Sequence, residues 1–157
     1  MADLEMAHGS FSKVITFRLK PGTDLEEGLL EACKRENIKN GVIVSAIGSL
    51  DGASFFDVVE RADLKSGYGY GEPLTLRGPI ELTGLSGLVC HDNTGAVNLH
   101  VHISMSDRYG NAYGGHLAPG TKVLITVDAV IAEVSGVDMG RELVPELGGL
   151  LFAPKQA

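Results

Sequence analysis

The segment from Asn98 to Leu117 limits the possible folds of this chain, because its first half alternates strictly between apolar and polar residues. The apolar positions are Leu99, Val101, Ile103 and Met105, and the polar positions are Asn98, His100, His102 and Ser104. Period-two alternation is typical of a β-strand with one face against a core. It therefore places His100 and His102 on the same face, about 6.5–7 Å apart along the backbone.

The second half of this segment predicts a return of the chain toward the two histidines. Residues 106–111 have turn chemistry, and residues 112–117 resemble a returning strand. A hairpin of this length carries His116 back toward the histidine pair. Gly114 and Gly115, just before it, remove side chains where the backbone must be closely approached. The sequence thus predicts a three-histidine site on one face of a sheet.

Two interpretations of these histidines are open. An isolated His-x-His pair is more often a polar part of an edge strand than a metal site. Against this, neutral imidazole suits zinc or another divalent transition metal, and ligation by His100, His102 and His116 would leave a fourth position open for a ligand. Structural zinc sites usually contain cysteines, whereas Cys33 and Cys90 are too widely separated to suggest a pair and are predicted as small buried hydrophobes.

One convincing helix is predicted near the start of the chain. Thr23 followed by Glu26 fits a capping box, and Leu25, Leu29 and Cys33 form an apolar stripe at helical spacing. The helix is expected to end within residues 37–41.

The remaining pattern predicts strands and turns. Two separate strands are expected at 42–47 and 53–59, a flexible loop at 61–73, and the clearest strand at 122–134. Shorter strands are expected at 11–20, 74–76, 80–85 and 88–90. The apolar tail after Ser135 is expected to dock on a neighbouring surface. These elements predict an α+β fold with a mostly antiparallel sheet of about seven strands and one main helix.

Length, charge and hydropathy limit the organisation and the partners. The 157 residues suit one domain, predicted at 11–152 after a flexible N-terminus at 1–10. The net charge of −7 and the absence of a basic cluster argue against nucleic-acid binding. A hydrophobic content of 44% favours self-association. No apolar run suits a membrane-spanning helix and no leader is evident, so we expect a cytoplasmic protein without membrane contact.

Several motifs, taken in order, resemble the plants-and-prokaryotes-conserved (PPC) domain. They are Phe17-Arg18-Leu19 with Pro21-Gly22, the segment GPIELTGLSG at 78–87, His100-Val101-His102, and Gly114-Gly115-His116-Leu117. The similarity covers about 14–134. Plant members pair this domain with a basic AT-hook, and no Arg-Gly-Arg-Pro segment occurs here, so the chain resembles the stand-alone prokaryotic type.

This resemblance implies a fold similar to that of acetolactate decarboxylase, a zinc enzyme with a comparable histidine set. It also implies a homotrimer with a site near the subunit boundaries. Similar prokaryotic domains bind a metal, commonly zinc, through the histidines that match His100, His102 and His116.

Two further residues are candidates for the site. Glu81 would act as a base on metal-bound water or orient a ligand imidazole; its alternative is an ordinary strand carboxylate. Arg18 would bind a substrate carboxylate or phosphate; its alternative is a solvent-facing side chain.

These features predict a metal-dependent hydrolase or lyase that acts on a small-molecule ligand. The alternatives are a ligand- or metal-binding module without catalysis, and a DNA-associated regulator like the AT-hook relatives. The residues leave open whether the chain is an enzyme.

Overall fold

In the computed structural model, which describes residues 2–157, the chain folds into ten β-strands and one α-helix. The strands are β1 (Ser10–Leu19), β2 (Gly41–Phe56), β3 (Val58–Glu60), β4 (Tyr68–Tyr70), β5 (Leu74–His91), β6 (Val97–Ser106), β7 (Ala112–Leu117), β8 (Val123–Ser135), β9 (Val137–Val144) and β10 (Gly149–Gln156). The helix α1 (Leu25–Arg35) lies between β1 and β2. Within residues 2–157, no helix has the length and apolar character needed to cross a membrane.

Eight of the strands form one sheet in the order β1-β8-β2-β7-β6-β5-β9-β10, and β3 and β4 form a separate two-stranded ribbon. The pairings are antiparallel except for one parallel bridge between β5 and β9. The predicted mostly antiparallel sheet with a single helix is therefore confirmed. The predicted count of about seven strands is wrong, because the segment 61–73 contains β4 and the tail forms β9 and β10.

Two strands are longer than the sequence predicts, because glycines that resemble turn signals lie inside them. β2 continues through Gly48 and Gly52, whose φ angles are 155° and 150°. A Cβ atom on Gly48 would lie 2.1 Å from the Thr126 carbonyl oxygen, so only glycine fits this close approach. Bulges at these positions bend β2 without ending it. β5 likewise joins three predicted short strands into one.

The helix forms where the sequence predicts it, but with a different cap. The Asp24 carboxylate accepts hydrogen bonds from the backbone N–H groups of Glu26 and Glu27, so the predicted capping by Thr23 is wrong. Both residues offer a side-chain oxygen, and the one immediately before the first helical residue occupies the cap. The predicted apolar stripe is fully buried at Leu25, Leu29 and Cys33.

The pairings β2–β5, β5–β6, β6–β7 and β7–β2 close into a ring around the hydrophobic core. β6 contributes four buried side chains to this core, namely Leu99, Val101, Ile103 and Met105. Successive side chains of a strand point to opposite faces. The polar residues of β6 therefore lie on the outside of the ring, where the candidate site is found.

The C-terminal tail is part of the sheet. β9 and β10 pair from Val137↔Gln156 to Val144↔Gly149, and Ala153 is buried. The sequence predicts that this tail docks as an apolar patch on a neighbour, and it does not predict the β9–β10 hairpin. Leu150 of this hairpin remains exposed.

The sheet runs from Ser10 at the start of β1 to Gln156 at the end of β10, whereas the predicted domain limits are 11–152. Residues 2–9 form neither helix nor strand.

Candidate metal centre

The β6–β7 hairpin brings two histidines face to face. His102 of β6 pairs with His116 of β7, and residues that are directly opposite in an antiparallel pair share a face of the sheet. His100 lies on the same face, two residues before His102. The predicted return of the chain toward the His-x-His pair is therefore confirmed.

The turn between β6 and β7 is organised by one carboxylate. Asp107 Oδ1 accepts hydrogen bonds from the backbone N–H groups of Tyr109 and Asn111, at 2.8 and 3.0 Å. Asp107 Oδ2 accepts from Asn111 Nδ2 and the Tyr113 hydroxyl. These bonds, led by that of the Asn111 side chain, lower the pKa of Asp107. Because a turn constrains the pairing of the strands that it joins, the bonds of Asp107 support the register in which His116 faces His102.

The three imidazoles form a nearly equilateral group. The ring centroids lie 5.3 Å apart for His100 and His102, 5.5 Å for His100 and His116, and 5.4 Å for His102 and His116. One ligand nitrogen from each ring lies within 4.8 Å of the others. Nitrogens on a tetrahedral zinc ion are about 3.3 Å apart for bonds of 2.0–2.1 Å, so small ring movements complete the geometry.

Two glycines allow this approach. A Cβ atom on Gly115 would lie 2.7 Å from the Phe56 carbonyl oxygen, and one on Gly114 would lie 2.8 Å from that of Ile103. The sequence prediction that these glycines permit a close backbone approach is confirmed. Any larger residue would push β7 away from β2 or β6 and displace His116.

The chemical state of the histidines suits a divalent cation. Burial, then His100 and His102, and then Arg141 lower the pKa of His116 to about 4. Burial, His102 and Arg141 also lower the pKa of His100. Both rings are therefore neutral at neutral pH, which is the form that binds a metal. His116 Nδ1 is buried without a hydrogen-bond partner, as expected for a nitrogen whose partner is an ion.

Tyr70 contacts the site from a segment whose sequence predicts a flexible loop. Its ring centroid lies 4.7 Å from that of His116 and 5.6 Å from that of Phe56. β4, which contains Tyr70, pairs with β3, so a short ribbon holds this ring beside the triad. The alternation of glycine and tyrosine at 67–71 was the available signal for this strand.

Arg141 of β9 is the second site residue that sequence reasoning missed. Its charge contributes to the low pKa values of His100 and His116 and opposes the increase that burial causes in the pKa of Tyr70 and Cys90. The guanidinium therefore acts on groups from β4, β5, β6 and β7 at once. The alternating pattern of 137–144 could have indicated a strand, but nothing local indicated its neighbours.

Three buried side-chain polar atoms lack a hydrogen-bond partner among the described residues, and they lie on β6, on β7 and on β9, which adjoins the end of β5. They are Asn98 Oδ1, His116 Nδ1 and Arg141 Nε. Asn98 lies on the outward face of β6, two residues before His100. Buried polar groups are nearly always paired, so such a concentration indicates a place built for a ligand.

Glu81 does not join the histidines. It is exposed on β5, opposite Ser106, whereas Ser86 is the residue opposite His102. Ser106 lies four positions after His102 on β6, so Glu81 is offset from His102 by about 13 Å along the strands at ordinary strand spacing. Among residues 2–157, the group of ligand atoms contains only the three histidines.

Arg18 also lies elsewhere. Its Nε donates to Asp128 Oδ1 at 3.2 Å, and both side chains are more than half exposed. β8, β2 and β7 separate its strand, β1, from β6 in the sheet order. Asp128 is accommodated within a largely apolar strand because its side chain is exposed to solvent and bonded to Arg18.

Comparison with known proteins supports the fold. The chain resembles a metal-containing protein of Archaeoglobus fulgidus, with a TM-score of 0.80, 24% identity, and coverage of 95% of this chain and 99% of that one. It also resembles a plant- and prokaryote-conserved (PPC) protein of Pyrococcus horikoshii, with a TM-score of 0.76, 24% identity, and coverage of 94% and 96%. At this level of identity, the similarity establishes a shared fold.

A curated relative is the bifunctional protein GlmU of a Synechococcus strain (JA-3-3Ab), which is 31% identical over 138 residues. The match covers 88% of this chain but 20% of that protein, so the chain spans about a fifth of the relative's length. The family model described as the Plants and Prokaryotes Conserved (PCC) domain matches residues 6–135. This match includes the histidine triad and confirms the resemblance seen in the sequence. The chain belongs to the Plants and Prokaryotes Conserved domain family.

Proposed function

We propose that His100, His102 and His116 bind one divalent transition metal, zinc above all, with a fourth position open to a small molecule. The observation that carries this proposal is the convergence of three ligand nitrogens within 4.8 Å, without a fourth protein donor in the group. The description of the Archaeoglobus fulgidus protein as metal-containing supports it.

An open position favours catalysis or ligand binding over a purely structural role. A metal held there would supply Lewis-acid chemistry and activate water. The three histidines would hold the ion, and the ring of Tyr70 packs beside that of His116. We propose a hydrolase or lyase that acts on a small metabolite, with a binding module without catalysis as the alternative. Catalysis by Glu81 and substrate binding by Arg18 stay predictions, because within one chain both side chains lie away from the three histidines.

The third candidate, a DNA-associated regulator, has weaker support. DNA binding has been suggested for two further proteins with this fold, from Bacteroides thetaiotaomicron and Ralstonia eutropha. This chain has 20 acidic and 13 basic residues, and its net charge is −7. DNA affinity rests on phosphate neutralisation by clustered cations. We therefore expect no duplex binding in the micromolar range at about 150 mM salt, as measured by fluorescence anisotropy.

We further propose that the chain assembles as a homotrimer. Strands β1, β2 and β8 expose large apolar side chains, among them Val14, Val44, Ile47 and Ile125. A large exposed apolar surface is typical of an interface. Light scattering at micromolar concentration should give three times the chain mass of 16.5 kDa.

Metal analysis tests the proposed function directly. Untagged protein should contain close to one zinc or similar ion per chain, and His102→Ala should reduce the content to near zero. His8→Ala is the matched control, because His8 is exposed and lies outside the group. Full metal content in His102→Ala would refute the site. For the intact protein, thermal-shift screening with metabolites, followed by turnover assays on the hits, then separates an enzyme from a binding module.

A further inference from the structure

Arg141 reaches the histidine site from a strand that is distant in sequence. Its neighbour Gly140 pairs with His91 at the end of β5, and β5 pairs with β6 along the histidine-bearing segment. This pairing brings β9, and with it the buried Nε of Arg141, to the end of β5 that faces the start of β6, where Asn98 precedes His100. The family match ends at residue 135, so Arg141 lies beyond the segment that defines the family.

The charge of Arg141 is not neutralised by the described part of the chain. No carboxylate of residues 2–157 lies within salt-bridge distance of it, and its Nε is buried without a partner. The acidic residues of its own strand are engaged elsewhere. Asp138 pairs with His91, and Glu142 pairs with Lys155. A partly buried cation without a counter-ion is unfavourable, so the site favours an anion from outside the chain.

The proposed metal strengthens this argument. Imidazoles bind a metal in their uncharged form, so the triad would leave both charges of a divalent ion uncompensated. No carboxylate of residues 2–157 belongs to the group. The guanidinium adds a third positive charge to the same site. Planar guanidinium groups bind carboxylates and phosphates through paired hydrogen bonds.

We propose that Arg141 is the specificity-determining residue of the site, and that it selects a small anionic ligand whose carboxylate or phosphate oxygens bridge the guanidinium and the open metal position. This inference rests on the proposed metal function. The amide oxygen of Asn98, which is buried and unpaired, accepts hydrogen bonds, so it suits a hydroxyl donor of the same ligand rather than its anionic group. The ligand is small, because the ring of Tyr70 covers one side of the triad.

Cobalt-substituted protein tests this inference, because the visible absorption of cobalt changes when its open position is filled. Metal-free full-length protein is loaded with one equivalent of Co²⁺ and titrated separately with acetate and with methylphosphonate. We expect a saturable spectral change with at least one of the two probes, and the tighter one identifies the anionic group. Arg141→Met should retain cobalt and weaken anion binding at least tenfold. Arg141→Lys, which keeps the charge, should recover part of that affinity.

Arg35→Met is the matched control, because it removes an exposed arginine that lies in the last turn of α1, pairs with Glu31 and has no part in the triad. Its anion affinity should equal that of the wild type. Unchanged anion binding in Arg141→Met, or no spectral change of the wild type with either probe, overturns the inference and leaves the metal proposal intact. Failure of the wild type to bind cobalt overturns both. Thermal unfolding of each variant shows whether a loss of affinity reflects a loss of folding.

Discussion

His102 and His116 lie directly opposite one another in the β6–β7 pair, with ring centroids 5.4 Å apart. Their distance is therefore set by the backbone pairing of two strands that a short turn connects. The position of the third ring, that of His100, follows from the fixed spacing of residues along β6. The geometry of the triad thus depends on the turn and on the glycines of β7 more than on any contact between the rings.

Asp107→Ala should weaken metal binding at least tenfold without removing a histidine. The Asp107 carboxylate accepts hydrogen bonds from two backbone N–H groups and two side chains, and it holds the pairing that places His116. Competition with a chromophoric zinc chelator measures the change. Asp63→Ala is a control, because Asp63 also bonds locally, to Arg61, but outside this hairpin. Equal zinc affinity of Asp107→Ala and the wild type would show that the turn does not control the site.

Gly115→Ala should destabilise the protein by about 1–3 kcal/mol, the usual cost of an atom forced into a packed region. The added Cβ would lie 2.7 Å from the Phe56 carbonyl oxygen and 2.8 Å from Asp57 Oδ1. Gly84→Ala is the matched control, since a Cβ on Gly84 meets nothing within 4 Å. Denaturant unfolding measures both variants, and the control should stay within about 0.5 kcal/mol of the wild type. Comparable stability of the two variants would contradict the close approach.

The pair of His91 and Asp138 should stabilise the fold in acid more than in base. The Asp92 carbonyl, and then Asp138, raise the pKa of His91 above its ordinary value of 6.5. The stabilisation is therefore complete below that value and is lost as the pH rises through the higher pKa of the folded state. His91→Gln should cost at most about 1 kcal/mol at pH 5.5, because the pair is partly exposed. At pH 8.5 the difference should largely vanish.

Denaturant unfolding at both pH values tests this pair. Glu142→Gln, which disrupts a solvent-exposed pair with Lys155, is a control whose effect should not change between pH 5.5 and 8.5. A larger effect of His91→Gln at the higher pH would reverse the assigned sign.

Both cysteines should resist thiol reagents while the protein is folded. Burial raises the pKa of Cys33 to about 11 and also raises that of Cys90, and both thiols are free and buried. Because the thiolate is the reactive form, a colorimetric disulfide reagent at pH 8 should react only slowly with the native chain. After denaturation, it should release two equivalents. Rapid release of one equivalent from native protein would show that one thiol is accessible.

The sequence was sufficient to predict the triad because each part of the signal is local. The alternation of 98–105 assigns the two histidines to one face, and the turn residues assign the return of His116. The buried stripe of α1 was likewise predictable, because helical spacing reports it directly. These predictions needed no knowledge of which strands meet.

Tyr70 and Arg141 could not be predicted as site residues, because their positions depend on contacts between distant parts of the chain. Arg141 reaches the site through the bridge between Gly140 and His91, and no local pattern encodes such a pairing. The lengths of β2 and β5 were missed for a related reason. Glycines such as Gly48 serve a close approach between strands inside the sheet, and a sequence alone does not separate this role from that of a turn.

The division of β6 into a core face and an outer face makes the donor set exchangeable. The buried side chains of this strand are all apolar, so neither His100 nor His102 contributes to the packing that holds the ring together. Replacing His100 or His102 by cysteine or glutamate would alter which ion is preferred while leaving the core unchanged. Substitutions on the outer face of a single hairpin can thus adapt the same fold to different metals, in evolution as in the laboratory.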